Sequence, residues 1–376
     1  MPSLYVPTQS FLLLSPISNG INSANLWTEA YGYIYTCNAI LEGLNNNQSL
    51  SPAVNQELNG EAKFIRAFCY FYLTNLYGDV PLYTSSNYEI NAVSLRTQAS
   101  LVYAQIISDL RDAQTLLSVD YSIANGERIK PTKWAATALL ARAYLYESKW
   151  DSAEAAASQV IDNVGLYSLP ANLDSVFLKN SSEAIWQLLP VQPGSNTREA
   201  ANFILTAKPT VVSLTNFIVS AFEMGDNRRN DWVGTYSDGT NTWYFAHKYK
   251  VQASPVLTEY SMVLRLAEQY LIRAEARAQV NNISASQADL NMIRNRAGLS
   301  NTTAGDQASL LLAIEHERQV ELFSEWGHRW LDLNRTSRAD AVLGAEKPSW
   351  KPTAKLYPVP SSEILNNLQI TQNPGY

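Results

Sequence analysis

The chain has 376 residues, 46% of them hydrophobic and only 16% charged, ample material for a sizeable core in one large or two ordinary domains. Lysine and arginine total 28 against 34 acidic residues, a formal net charge of −6 with no long basic run, which excludes the electrostatic footprint of a nucleic-acid binder. No apolar stretch approaches the roughly 18 residues of a bilayer-crossing helix, and the Phe11-Leu12-Leu13-Leu14 run has no cationic segment before it, so neither a transmembrane helix nor a signal peptide is expected in the sequence as it stands.

Helical periodicity dominates the first half. It runs from Leu26 to Leu44 and again from Ser51 to Tyr77, where Ile65, Phe68 and Tyr72 recur three and four apart on one face. Ser51-Pro52 supplies an N-cap and a first-turn proline, while Gly78 and Pro81 stop the helix. Cys37 and Cys69 fall inside these patterns with no CxxC and no His at ligand spacing, so they read as buried small hydrophobes. A further helix is predicted from Thr97 to Leu117. Lys133 to Asn163 reads as a helical hairpin in which small residues at Ala141, Ala153 and Ala157 permit close approach. The spacing matches a tetratricopeptide unit, with Asp151 and Glu154 as its capping box.

From about residue 165 to 257 the periodicity breaks into short apolar pieces and Pro- and Gly-bearing loops. With 9 Trp and 21 Tyr the chain is rich in flat amphipathic rings that can stack on sugars, although most are expected in the core. Two segments here carry candidate ligand contacts. Gln192, Asn196 and Arg198 offer amide and guanidinium groups able to bond vicinal hydroxyls. Trp232, Tyr236 and Trp243, interleaved with turn residues, offer rings, and serve equally well as strand residues packed on a core. Asp226, Arg228 and Arg229 read as a structural turn.

A looser hairpin copy runs from Val263 to Ala297, capped by Ser284 and Gln287. After it, Glu317, Glu321 and Glu325 repeat every four residues and line one helix face beside Arg318 and Arg329. A glycosidase needs two carboxyls roughly 5–9.5 Å apart across a cleft. Carboxylates crowded by Arg and Trp fit an ion-pair lattice better. His247, His316 and His328 form no HExxH spacing, and no phosphate loop or nucleophile elbow is present. The sequence therefore calls for no catalytic residue, no metal and no cofactor.

The C-terminal third is the most specific part of the chain. Glu317-Arg318 through Glu321-Leu322, Glu325, Gly327, Arg329-Trp330, Asp332-Leu333 and Arg335 resembles the ER-x-x-EL-x-x-EG-x-RW-x-DL-x-R signature of the RagB/SusD family, with Trp326 interposed. Tyr357-Pro358-Val359-Pro360, Glu363-Ile364 and Gln372-Asn373-Pro374-Gly375-Tyr376 are similar to that family's closing blocks. Leu76 to Pro81 and Arg265 to Ala276 agree in order.

The resemblance implies a mostly α, SusD-like fold over residues 1–376, with tetratricopeptide-like hairpins at about 24–163 and 258–335. A loop-rich binding region is expected at about 165–257 and a C-terminal segment at 336–376. It further implies a surface-exposed outer-membrane lipoprotein that binds a glycan nutrient without catalysis and delivers it to a SusC-like TonB-dependent transporter. Family members carry an acylated Cys that is absent near this start, so a truncated N-terminus and a missing lipid anchor are expected. The competing readings are a tetratricopeptide protein–protein adaptor and an α-helical glycoside hydrolase.

Overall fold

Helix Pro52–Tyr77 starts and stops where its end residues dictate. The Ser51 hydroxyl accepts from Val54 N, proline occupies the first turn, and Gly78 at φ 75° leaves the helix. The computed structural model describes residues 21–45, 47, 49–192 and 194–376, without the side chains of 21–23. Phe11–Leu14 and Pro193 lie outside the described residues.

A succession of helices packed neighbour on neighbour follows. Helix Ile21–Asn45 packs on Pro52–Tyr77, which packs on Ala99–Leu116, then Lys133–Tyr146, Trp150–Ile161 and Leu266–Gln279. The last also meets Ile283–Arg296 and Gln307–Glu321. Ala141, Ala153 and Ala157 are fully buried, as close helix approach requires. The two hairpins separated by about 100 residues in sequence are thus adjacent in space. Among the described residues no helix is long and apolar enough to cross a membrane.

Three local expectations are corrected. Helix Trp150–Ile161 has no side-chain cap, because Glu154 reaches instead to Arg277 at 2.7 Å. Helix Ile283–Arg296 likewise lacks one, and Gln287 donates to Ala304 O at 2.6 Å. The capping box forms at Asp306 and Ser309. Residues 263–265, expected at the start of a helix, belong instead to strand Ser261–Arg265, paired antiparallel with Ala184–Leu188.

The C-terminal tail closes the N-terminal half. Asn373 donates through Nδ2 to Tyr77 O at 2.9 Å and Tyr357 O at 2.7 Å, and its Oδ1 accepts from Arg96 at 2.6 Å. Trp330 is half-buried, against Trp350 and Tyr357. Trp326 takes a left-handed φ of 42°, a conformation unfavourable for a bulky residue. Its indole is held by a 2.6 Å bond to Met262 O and an edge contact with Phe68.

Candidate functional site

The carboxylates repeating every four residues enter a buried lattice. Arg265 contacts Glu183 at 2.7 Å, Glu321 at 2.5 Å and Glu325 at 2.7 Å. Arg228 contacts Asp226 at 2.8 Å, Glu317 at 2.6 Å and Glu321 at 2.8 Å. Arg296 bridges Glu183 and Glu321, and Lys248 meets Glu325. Burial alone would raise the Glu321 carboxyl, but Arg296, Arg265, Arg228 and Lys248 hold it well below the usual range. Burial pushes the Lys248 ammonium down to about 8. Burial pushes the Glu317 carboxyl up, yet both Glu317 and Glu321 have no exposed surface, so neither reaches a scissile bond. The lattice ties helix 307–321 to strand 261–265 and to the 226–232 turn.

On that support stands a β-hairpin, Val233–Ser237 with Thr242–Ala246. Its turn is closed by Asp238, whose Oδ1 accepts from Thr240 N at 2.9 Å and Asn241 N at 2.8 Å. Because strand side chains alternate, Val233, Tyr244 and Ala246 pack into one core cluster. Tyr236, Trp243 and Phe245 therefore share the other face. Tyr236 and Trp243 are register partners, stacked at 6.1 Å between centroids and 29° between planes. Gly234 is needed opposite Phe245, since a Cβ there would lie 2.2 Å from its ring.

The six sequence candidates separate. Tyr236 and Trp243 are partly exposed and pair on the hairpin, while Gln192 and Arg198 are exposed on a separate segment, a loop and the first residue of helix Arg198–Phe203. Trp232 is corrected: it is 0% exposed, donates to Leu173 O at 3.2 Å, and lies beneath the Lys248 ammonium. Asn196 is corrected too. Its Oδ1 accepts from Thr258 N at 2.8 Å and Glu259 N at 3.0 Å, bracing the 256–259 segment instead of facing solvent. Sequence reasoning missed a second concavity of about 320 Å³ that Tyr31, Tyr35, Tyr83 and Tyr88 help to line. The spacing of Tyr31, Tyr35 and Asn38 on one helical stripe was the available signal.

Comparison with known proteins agrees with this architecture. Residues 16–145 match a family described as starch-binding and associating with the outer membrane, and residues 216–376 match the SusD family. A SusD-like protein of Formosa agariphila is 27% identical, covering 98% of this chain and 85% of its own length. A solved laminarin-binding SusD-like protein superposes with a TM-score of 0.77 at 27% identity, over 94% of this chain and 86% of that one. A SusD superfamily structure from Parabacteroides distasonis reaches 0.81 at 24% identity over 99% and 90%, a likeness of fold. With both halves of the chain matched and the signature carboxylates built into the scaffold, the chain belongs to the RagB/SusD family of SusD-like carbohydrate-binding proteins.

Proposed function

We propose that this protein captures an oligosaccharide nutrient at the cell surface, without catalysis, and hands it to a SusC-like TonB-dependent outer-membrane transporter. The observation that carries the reading is the Tyr236–Trp243 pair: two stacked rings, partly exposed, on a hairpin anchored to a rigid ionic lattice. Flat amphipathic rings stack on the C–H face of a sugar while Gln192 and Arg198 offer donors to its hydroxyls. A shallow platform gains affinity by adding rings, so a hexasaccharide binds more tightly than its monosaccharide. The relatives support a carbohydrate cargo, and one is laminarin-binding by its own description.

In this reading the helical layer around residues 133–163 faces the transporter and the 191–244 loops enclose ligand between the two. A glycan array followed by calorimetry of the hit and its monosaccharide tests capture. Equal affinity for monomer and hexamer would indicate a closed pocket in place of a platform. Affinity purification from the native outer membrane tests delivery: recovery of a TonB-dependent receptor is expected, and its absence leaves a free-standing glycan binder.

A further inference from the structure

The tyrosine-lined concavity lies on the Ile21–Asn45 helix and the segment from Tyr83 to Ala92, and shares no residue with the hairpin. Its volume of about 320 Å³ falls at the small end of the roughly 300–1,000 Å³ range of ligand clefts. Its frame is fixed from beneath. Asn38 donates to Tyr83 O at 3.0 Å and Ser85 O at 3.2 Å, and accepts from Arg66 Nη1 at 2.7 Å. Arg66 is itself clamped in two-pronged fashion by buried Asp109 at 2.8 and 2.7 Å. The Tyr31 hydroxyl donates to Pro81 O at 2.7 Å, and Glu42 accepts from Ser85 Oγ and Ser86 N at 2.9 Å each. A wall ordered before the ligand arrives does not charge its ordering entropy to binding.

The chemistry of the lining narrows the occupant. Apart from Ala92 every apolar lining side chain is a tyrosine, and the two outermost, Tyr35 and Tyr88, are 57% and 74% exposed. Such rings present a flat apolar face with a polar edge, the complement of a pyranose with its C–H face and equatorial hydroxyls. No Lys or Arg lines the concavity, because the Arg66 guanidinium is committed to Asp109 and Asn38 behind the floor. Carboxylates predominate around it, Glu42 with hydrogen bonds from Ser86 and Ser85, Glu89 beside the Tyr88 hydroxyl and Glu363 acting on Tyr31 and Tyr83, against Arg96 alone acting on Tyr31, so an anionic sugar meets net repulsion. Tyr33 and Ile40, the exposed apolar residues of the same helix, fall on its opposite side by their spacing from Tyr31 and Tyr35. Exposed Ile90, Val93 and Leu95 flank the other wall, which makes a protein partner the competing occupant.

We infer that this concavity is a second carbohydrate site, taking a ring of a neutral glycan against Tyr35 and Tyr88. It rests on the proposed function only in assuming that the cargo is a sugar. The test is calorimetry of the full chain with hexasaccharides of glucose and of mannose and with a polygalacturonate hexamer. Three variants accompany it: Trp243→Ala, the pair Tyr35→Ala with Tyr88→Ala, and the same pair changed to Phe. The inference expects two sites per chain for a neutral hexasaccharide. The alanine pair should weaken one of them about tenfold or more, as stacking losses do, and leave the Trp243-dependent site intact. The phenylalanine pair should retain binding, because the faces carry it and both side chains are too exposed to threaten folding. One site, lost with Trp243 and unmoved by the alanine pair, overturns the inference while leaving the hairpin reading standing. It is equally overturned if polygalacturonate competes at the Tyr35-dependent site, if no neutral hexasaccharide binds, or if the alanine pair abolishes transporter association with sugar binding unchanged.

Discussion

Glu321→Ala is the sharpest test of the scaffold. One carboxylate oxygen takes Arg265 at 2.5 Å together with Arg296, and the other takes Arg228 at 2.8 Å. Removing it leaves no guanidinium without a partner, since Arg228 keeps Asp226 and Glu317, Arg265 keeps Glu183 and Glu325, and Arg296 keeps Glu183. The substitution takes the lattice from five carboxylates against four cations to four against four and withdraws one partner from three guanidiniums at once, in a site without solvent. Breaking a buried ion pair costs about 3–5 kcal/mol, and the retained partners place this case near the lower end, about 3 kcal/mol. Glu315→Ala on the same helix is the control, because its partners Arg338 and Arg329 are 43% and 21% exposed and solvent-reached pairs contribute at most about 1 kcal/mol each. Urea midpoints at pH 7, followed by circular dichroism and tryptophan fluorescence, measure both. The sign with pH also follows. A carboxylate held below its unfolded value of about 4.3 contributes fully above that pH and loses its contribution as pH falls through the depressed value. The gap between wild type and Glu321→Ala should thus hold steady near pH 5 to 6 and narrow as pH falls below about 4. Equal losses for the two substitutions, or a Glu321→Ala loss under about 1 kcal/mol, would refute the lattice as a unit.

Other outcomes follow from the same contacts. Trp243→Ala should leave the melting temperature nearly unchanged while reducing glycan affinity about tenfold. Trp330→Ala should cost about 2 kcal/mol, less than the ~3–5 of a fully buried tryptophan, and thermal shifts in the reverse order would contradict the division between scaffold and platform. Gly234→Ala drives a methyl into the Phe245 ring and should cost about 1–3 kcal/mol together with glycan binding; an unaltered affinity argues against the hairpin as the platform's support. Burial, reinforced by Arg142 and Arg318, holds the His328 imidazole well below its usual pKa. The unfolded chain takes up that proton near pH 6.5 and the native one does not, so stability falls as pH drops below 6.5. Relative to His328→Gln, wild type should lose about 1 kcal/mol between pH 7.5 and 5.5, and denaturant midpoints at the two values decide it.

How much of this was legible in the sequence depends on the range of the interaction. The helices were legible because their signals are local: Ser51-Pro52 and Gly78 bound one helix, and small residues at 141, 153 and 157 announce a tight hairpin. The structural role of Glu317 and Glu321 was legible for a related reason, since a four-residue spacing puts both on one helix face beside arginines, whereas Glu325, expected on that face, joins the lattice from the turn beyond the helix end at Glu321. Their partners were not, because Glu183, Arg228, Lys248 and Arg265 come from four separate segments of chain.

The same limit divided the aromatic candidates. Trp232 and Trp243 sit in one stretch of alternating rings and turn residues, and nothing local separates them. The turn at Asp238–Asn241 sets the register, pairing Tyr236 with Trp243 on the outer face, while Trp232 precedes the strand and sinks beneath Lys248. Asn196 looked like a ligand amide for want of its partners, which lie about 60 residues further along. Composition and periodicity determined the helical class, and the signature motifs identified the family. Which rings meet solvent was decided only by tertiary structure, because exposure is a property of what the rest of the chain brings alongside.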